Sequence, residues 1–166
     1  RVQHVFVENH QIVKVGTPLL SMYDESQIAA IESAEAQVHQ VEAEFVTAYA
    51  QHAVAISVVE RDKSSYLRSE HEYERKKELA AQGKNIISES EVQKLADTVA
   101  MKKATLSASL ANQASAQGIL DTVLPAKRAS AIEDLDKAKV EKGKRTLYAH
   151  VEGELQQFAL QPGDFI

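Results

Sequence analysis

Side chains capable of acid–base, nucleophilic or metal chemistry are present, but they lie far apart along the sequence. The chain has six histidines and no cysteine, which excludes thiol catalysis, cysteine-bound zinc and disulfides. The histidines show no HExxH or HxH spacing, so we expect no metal site. No nucleophile–base pattern, paired acid motif or glycine-rich phosphate loop is found. The sequence therefore predicts a protein that is not an enzyme and needs no cofactor.

Two local features have a chemical interpretation and a simpler structural one. His52 is a candidate ligand or pH sensor, but no His, Asp or Glu stands beside it at ligand spacing. We interpret it as a polar position tolerated on an apolar helical seam. The acidic cluster of Glu133, Asp134 and Asp136 lies among lysines, which is typical of a solvated helix face.

The composition favours long helices over a large globular core. The 166 residues are 44% hydrophobic but only 5% aromatic, and much of the apolar content is alanine, which buries little area. The net charge of −5 is spread along the chain with both signs mixed, which argues against nucleic acid and against a polybasic membrane patch. No run of about 18 apolar residues occurs, so nothing in this sequence is expected to span a membrane.

A long first helix is predicted from residue 26 to about 81, which contains neither proline nor glycine. A bulky row and a small row recur at seven-residue intervals, as on the seam of a coiled coil. At 1.5 Å per residue such a helix is about 80 Å long. The bulky row is Ile31, Val38, Phe45, His52, Val59, Tyr66, Tyr73 and Ala80, and the small row is Ala34, Val41, Ala48, Ala55, Asp62, Ser69 and Lys76.

A second helical arm of nearly equal length follows, with Gly83 as a plausible terminator of the first. Ser88 and Glu91 form a predicted capping box, and Pro125 is expected to kink or interrupt the arm, which ends near Gly143. Because the arms are equal, we expect an antiparallel hairpin. Seam candidates on the second arm are Val92, Leu95, Val99, Leu106, Leu110, Leu120, Leu124, Ile132, Leu135 and Ala138.

Strand signals stand only at the two ends of the chain. Residues 2–7, 12–13 and 19–22 read as short strands, and Asp24 or Ser26 is a candidate N-cap for the first helix. Residues 155–160 match residues 2–7 in type, position by position. Equal helical arms return the chain to where it left, so we expect the two strand sets to form one β unit. Both ends fall inside strand patterns, which suggests an excised fragment.

Two segments of the chain resemble the two halves of a split lipoyl-like domain. The first half is residues 2–24, which from Val5 onward read V-x-V-E-N-x-x-x-V-x-x-G-T-P-L-L-x-x-x-D. The second half is residues 145–163, RTLYAHVEGELQQFALQPG. That domain belongs to the periplasmic adaptor (membrane fusion) proteins of the HlyD/EmrA type. Residues 125–138 resemble the final hairpin helix of that family. The chain departs from the pattern at His150, where proline is common, and at Glu152, where aspartate is common.

The resemblance implies a mainly α fold with a small β component, in which a long antiparallel coiled-coil hairpin is inserted between two halves of a lipoyl/biotinyl-like β domain. The implied boundaries are 1–24 for the first half, 25–145 for the hairpin, with its tip near 82–88 and a helix break near 125, and 146–166 for the second half. The implied protein is a periplasmic adaptor of an export or efflux pump, anchored to the inner membrane in its full-length form. It would bridge an inner-membrane transporter to an outer-membrane channel, TolC-like in one branch, as a homo-oligomer.

The resemblance also implies a partner-binding tip. In the branch that docks onto TolC-like channels, the tip carries Arg, then Leu four residues on, then Ser past the turn, and Arg75, Leu79 and Ser88 stand in that order. The interval from Leu79 to Ser88 is about two residues longer than in that branch, and helix capping alone also explains Ser88. The apolar pair Ile86 and Ile87 is predicted either to pack across the turn or to join the docking surface.

Two other classes of function remain open. A biotin or lipoate carrier domain would use Lys14, in VKVG, as the modified residue. A carrier lysine belongs on an exposed tip between the halves, where this chain has its helical insertion, so we expect Lys14 to be unmodified. A generic coiled-coil spacer unrelated to transport is the third interpretation, and it gives the matching ends of the chain no purpose.

Overall fold

A computed structural model of the chain describes residues 1–81 and 87–165. The predicted fold class, mainly helical with a few antiparallel strands, is confirmed. The strands are β1 Val2–Val5, β2 Ile12–Val13, β3 Pro18–Met22, β4 Thr146–Tyr148 and β5 Gly153–Glu154. The helices are α1 Glu25–Ala81, α2 Glu89–Gly118 and α3 Leu124–Gly143, and a π-helical turn, Ile119–Val123, joins α2 to α3.

The chain divides into two compact units. Unit 1 comprises Arg1–Val41 and Lys127–Ile166, and unit 2 comprises Glu42–Ala126. Unit 1 therefore contains all five strands, the start of α1 and nearly all of α3. Unit 2 contains the rest of α1, together with α2 and the π-helical turn.

Strands from the two ends of the chain pair with each other in unit 1. β3 is a central strand that is antiparallel to β1 on one side and to β4 on the other, with Leu20 opposite both Val5 and Leu147. β2 pairs with β5, placing Ile12 opposite Glu154. Each ladder that involves β4 or β5 thus joins residues more than 120 positions apart, as the equal-arm argument predicted.

The core of unit 1 is small and built mostly from aliphatic side chains. Val2 and Leu20 are 0% and 1% exposed, and they lie on the neighbouring strands β1 and β3. A second cluster consists of Val7, Val13 and Ala149, with Val5, Leu19, Leu155 and Phe158 packed against it. This cluster thus draws side chains from both ends of the chain.

The predicted strand over residues 155–160 is wrong, because regular strand structure on this side ends at Glu154. Gln157 has a φ of +55°, a left-handed conformation that a strand cannot contain. The Phe158 N–H instead donates to Asn9 Oδ1 at 2.6 Å. Leu155 and Phe158 still pack against the core, so the apolar pattern marked buried side chains correctly but not the backbone conformation.

The first helix and the last helix meet the sheet at one place in unit 1. The Asp24 carbonyl accepts a hydrogen bond from the Ile28 N–H at 2.8 Å, so Asp24 stands at the N-cap position of α1. Its carboxylate lies 4.0 Å from Lys142 Nζ in the last turn of α3. Opposite charges at these two helix termini also complement the two helix dipoles.

Burial along α1 follows the predicted seam. The buried residues of α1 among those described are Ala34, Val41, Ala48 and Asp62, and all four belong to the small row. The bulky row is half-buried throughout, including His52. Asp62 is buried as a charged group, and its carboxylate is paired with Arg61 Nη2 at 2.9 Å, which offsets part of its desolvation.

The two arms run antiparallel within unit 2. Ala48 on α1 clusters with Leu120 and Leu124, with Phe45 packed against them, whereas Lys76, far along α1, contacts Glu91 at the start of α2. Later residues of α1 thus contact earlier residues of the second arm, as in an antiparallel pair. Leu110 is a wrong seam prediction, since it is 47% exposed and the neighbouring Ser109 is buried instead.

Pro125 does not interrupt the second arm. The change in hydrogen bonding lies one turn earlier, where the Leu124 N–H donates to the Ile119 carbonyl five residues back, and α3 begins at Leu124 without a loop. Proline has no N–H and its ring crowds the carbonyl four residues earlier. The wider π turn next to Pro125 accommodates both effects, and the second arm changes helix type here without a loop.

Candidate partner-binding site

The end of α1 presents the first two residues of the predicted site. Arg75 and Leu79 are both exposed and are four positions apart, so they lie on the same face of the helix. α1 is described up to Ala81. An exposed leucine next to an exposed guanidinium offers a partner both apolar area and a bidentate donor.

The start of α2 holds the remaining described residues of the site. Ser88 is the N-cap, with φ −79° and ψ 150°, and its Oγ accepts a hydrogen bond from the Glu91 N–H at 3.2 Å. Ser88 therefore has the predicted capping role, and its side chain is exposed. Ile87 is half-buried. Ile86 and Gly83 lie outside the described residues.

A charge pair across the two arms joins the two parts of the site, and the sequence did not predict it. Lys76 Nζ lies 2.7 Å from Glu91 Oε1, with the two side chains 28% and 47% exposed. The predicted capping box assigned the Glu91 carboxylate to the Ser88 backbone, whereas the structure directs it towards Lys76. A half-exposed pair of this kind contributes about 0.2–1 kcal/mol, and it lies between α1 and α2 next to Arg75 and Ser88.

A groove beside Arg75 extends the site along α1. Among the described residues it is lined by Arg68, His71, Glu72 and Arg75, and its volume is about 440 Å³. These positions follow the i, i+3, i+4, i+7 spacing of one helix face. Sequence reasoning selected Arg75 alone, although the same spacing would have found Arg68 and His71. Two guanidinium groups on this face favour a partner that presents carboxylates.

Tyr66 lies two residues before Arg68, the first residue of this groove, and donates a hydrogen bond to Glu70 Oε1. That bond and the nearby Glu70 charge raise the pKa of Tyr66 above its usual value of 10.0. Since the folded pKa is raised, the stabilisation is complete below pH about 10 and is lost as the pH rises through the higher folded value.

We expect Tyr66→Phe to remove one tyrosine that ionises above its usual pH from an absorbance titration at 295 nm. We also expect the unfolding midpoint of the parent chain to fall more steeply above pH 10 than that of the variant, because only the parent loses this hydrogen bond. Tyr49→Phe is the control, since Tyr49 is another tyrosine on α1 and is 61% exposed. Identical titration curves for the parent and Tyr66→Phe would contradict the assignment.

The structure also describes the other positions for which the sequence allowed a chemical role. Among residues 1–81 and 87–165, no group of three or more His, Asp or Glu side chains is arranged to hold a metal ion. Lys14 is exposed in the turn between β2 and β3, where the Thr17 N–H donates to the Lys14 carbonyl at 3.0 Å and Gly16 has a φ of +86°. In the same part of the chain, every helix is too short or too polar to cross a membrane.

Comparisons with known proteins find similarity in structure and none in sequence. No family model matches the sequence, and no curated protein matches it. Among solved structures, MacA from Actinobacillus actinomycetemcomitans superposes with a TM-score of 0.58 and 19% identity, covering 99% of this chain and 41% of MacA.

Two further structures also match over nearly the whole chain. A protein of Bacteroides eggerthii assigned to efflux transport has a TM-score of 0.46 and 12% identity, covering 99% of this chain and 32% of its own. The periplasmic adaptor protein EmrA has a TM-score of 0.37 and 12% identity, covering 100% of this chain and 65% of its own. The likeness to MacA shows that the two chains share a fold, and this chain corresponds to less than half of MacA.

Proposed function

We propose that this chain is part of a periplasmic adaptor of an export or efflux pump, in the HlyD/EmrA class of membrane fusion proteins. One observation carries the proposal. Strands from both ends of the chain pair with each other, and a long antiparallel helical pair lies between them in the sequence, which is the fold shared with MacA. The adaptor acts without chemistry: it holds an inner-membrane transporter at a set distance from an outer-membrane partner.

The proposal assigns a part to each segment. Residues 1–24 and 146–166 form the two halves of a lipoyl-like domain, and residues 25–145 form the hairpin. The full-length protein works in the periplasm and is anchored to the inner membrane. The end of the hairpin, with Arg75, Leu79, Ile86, Ile87 and Ser88, docks onto a TolC-like channel or another outer partner.

Homo-oligomerisation is the second part of the proposal, and it rests on two apolar faces of unit 2. The first, the tyrosine face, consists of Val46, Tyr49, Ala53 and Ile56 on α1 with Leu110 and Ala114 on α2. All six residues are exposed. Each of these residues comes directly after a seam residue of its own helix, as Tyr49 comes after Ala48 and Leu110 after Ser109. In two antiparallel helices, residues that directly follow the seam lie on the same side of the pair.

The second, the valine face, lies on the opposite side of the seam. It consists of Val54 and Val58 on α1 with Ile119 and Val123 on the second arm, of which only Val58 is half-buried. Both faces occupy the same stretch of the hairpin. Two different apolar faces at one level fit heterologous packing, in which the tyrosine face of one copy covers the valine face of the next.

Charges further along α1 agree with that arrangement. Arg61, Arg68 and Arg75 recur every seven residues on the side of the valine face. On the side of the tyrosine face, Glu60, Glu70 and Glu74 outnumber Lys63 and Lys77. Copies packed side by side in the same direction would place the arginine row of one next to the acidic row of another, and complementary charge fixes such a register.

Cysteine cross-linking tests the arrangement directly, because this chain has no cysteine of its own. We expect a mixture of Tyr49→Cys and Val54→Cys chains to form a covalent dimer with a short bis-maleimide, and each variant alone to form little. Ala50→Cys, on the outer surface between these faces, replaces Val54→Cys in the control mixture. Dimers from Tyr49→Cys alone would indicate a two-fold interface instead, and no dimer in any mixture would remove the oligomer from the proposal.

The carrier interpretation has one observation in its favour, the exposed Lys14 in a tight turn between strands. It predicts a mass increase on Lys14 when the protein is purified from its native host and analysed by intact-protein mass spectrometry. The adaptor proposal predicts the unmodified mass.

A further inference from the structure

Buried positions on the second arm change register once, and the change coincides with the π-helical turn. Along α2 the buried or half-buried seam positions alternate steps of three and four residues without exception. They are Val92, Leu95, Val99, Lys102, Leu106, Ser109, Gln113, Ala116 and Leu120. Continued past Leu120, the same alternation reaches Val123, Ser130, Asp134 and Lys137, all of which are exposed.

The two buried residues after the turn, Leu124 and Ala131, stand one position later, and so do the half-buried Leu135 and Ala138. The half-buried Ile132 directly follows Ala131 and is the one such residue of α3 outside this frame. The second arm therefore contains one residue more than its heptad pattern requires. α1 has no such shift, since its two rows keep one alternation from Ile31 to Ala80.

A one-residue excess in an uninterrupted α-helix would turn everything after it by about 100° around the helix axis. That rotation would expose Ala131 and Leu135 and bury Ser130 and Asp134. A π turn closes its hydrogen bond over five residues instead of four, as between the Leu124 N–H and the Ile119 carbonyl. One such turn takes up one extra residue and leaves the following stripe in place.

We propose that the π turn at Ile119–Val123 is a register-restoring device that exists because of this extra residue, and that Pro125 marks its position without causing it. The buried pair Leu120 and Leu124, 6% and 3% exposed, frames the turn. Their four-residue separation places both against Ala48 and Phe45. Thr122, between Leu120 and Leu124 in the turn, is exposed and can be removed without loss of a buried side chain.

The test is a set of deletions in a Pro125→Ala background, which supplies the N–H that a regular helix needs at this position. We expect deletion of Thr122 to convert the turn to α-helix and to leave the thermal midpoint, followed by circular dichroism at 222 nm, within about 3 °C of the background. Deletion of Ala53, an exposed alanine in α1, is the control. It shifts one part of the α1 seam against the rest, and we expect the midpoint to fall by about 10 °C or more.

Two results would overturn the inference. One is a loss of stability on deletion of Thr122 as large as that on deletion of Ala53. The other is a crystal structure of the Pro125→Ala chain, with Thr122 retained, in which the turn has become regular α-helix, since that would make proline the cause. The expected structure of that variant keeps the bond from the Leu124 N–H to the Ile119 carbonyl.

Discussion

Arg75→Glu in the full-length protein is expected to abolish transport in a strain that lacks the native gene. Arg75 is exposed near the described end of α1, in a groove shared with Arg68 and His71. A partner that presents carboxylates to this groove would face a like charge instead, and like-charge contact costs several kcal/mol at an interface. We therefore expect at least a tenfold loss of export, about 1.4 kcal/mol or more in docking free energy.

The same change is expected to leave the fold intact, since substitutions of exposed side chains usually alter stability by about 0.5 kcal/mol or less. Circular dichroism and the thermal midpoint of the variant check this. Lys103→Glu, an equal charge reversal at an exposed position on α2, is the control and should transport normally. Unchanged export by Arg75→Glu would remove Arg75 from the docking surface.

Leu20→Ala is expected to destabilise the β unit by about 2–5 kcal/mol, the range for a leucine removed from a packed core. Leu20 is 1% exposed and lies on the central strand β3, opposite both β1 and β4. Its loss weakens both ladders at once. The effect is measured as faster backbone hydrogen exchange in residues 1–24 and 145–155, together with a lower denaturant midpoint for that unit.

Leu147→Ala provides a close control for this prediction. Leu147 is paired with Leu20 across the ladder but is 47% exposed, so the same truncation removes much less buried area. We expect it to cost less than about 1 kcal/mol. Equal effects of the two variants would mean that the β unit has no real core, which is what the generic coiled-coil interpretation requires.

The first helix could be predicted from the sequence because its pattern is redundant. Ala34, Val41 and Ala48 repeat every seven residues beside bulky partners, and each is buried. On α2 the seam passes through polar residues at Lys102, Ser109 and Gln113, so hydrophobicity alone pointed to Leu110. The alternating steps of three and four residues between seam positions would have selected Ser109, which follows Leu106 by three.

The site was only partly accessible to sequence reasoning. The capping role of Ser88 follows from local chemistry and is present in the structure. The contact between Lys76 and Glu91 depends on how the two arms align, and no local pattern specifies that alignment. Residues 155–160 have an apolar pattern like that of a strand, but Gln157 has a left-handed backbone conformation that interrupts it. A glutamine in a sequence gives no indication of a positive φ.

The position of β3 between β1 and β4 also has a consequence for biosynthesis. When β1 and β3 leave the ribosome they form at most a two-stranded ribbon, which is marginal in water, and β4 follows only after more than 120 further residues. The nascent β3 edge and the Leu20 side chain thus stay uncovered while the residues between Met22 and Thr146 are being translated. Exposed strand edges of this kind invite aggregation, so a holding chaperone bound to residues 1–24 would have its greatest value during this interval.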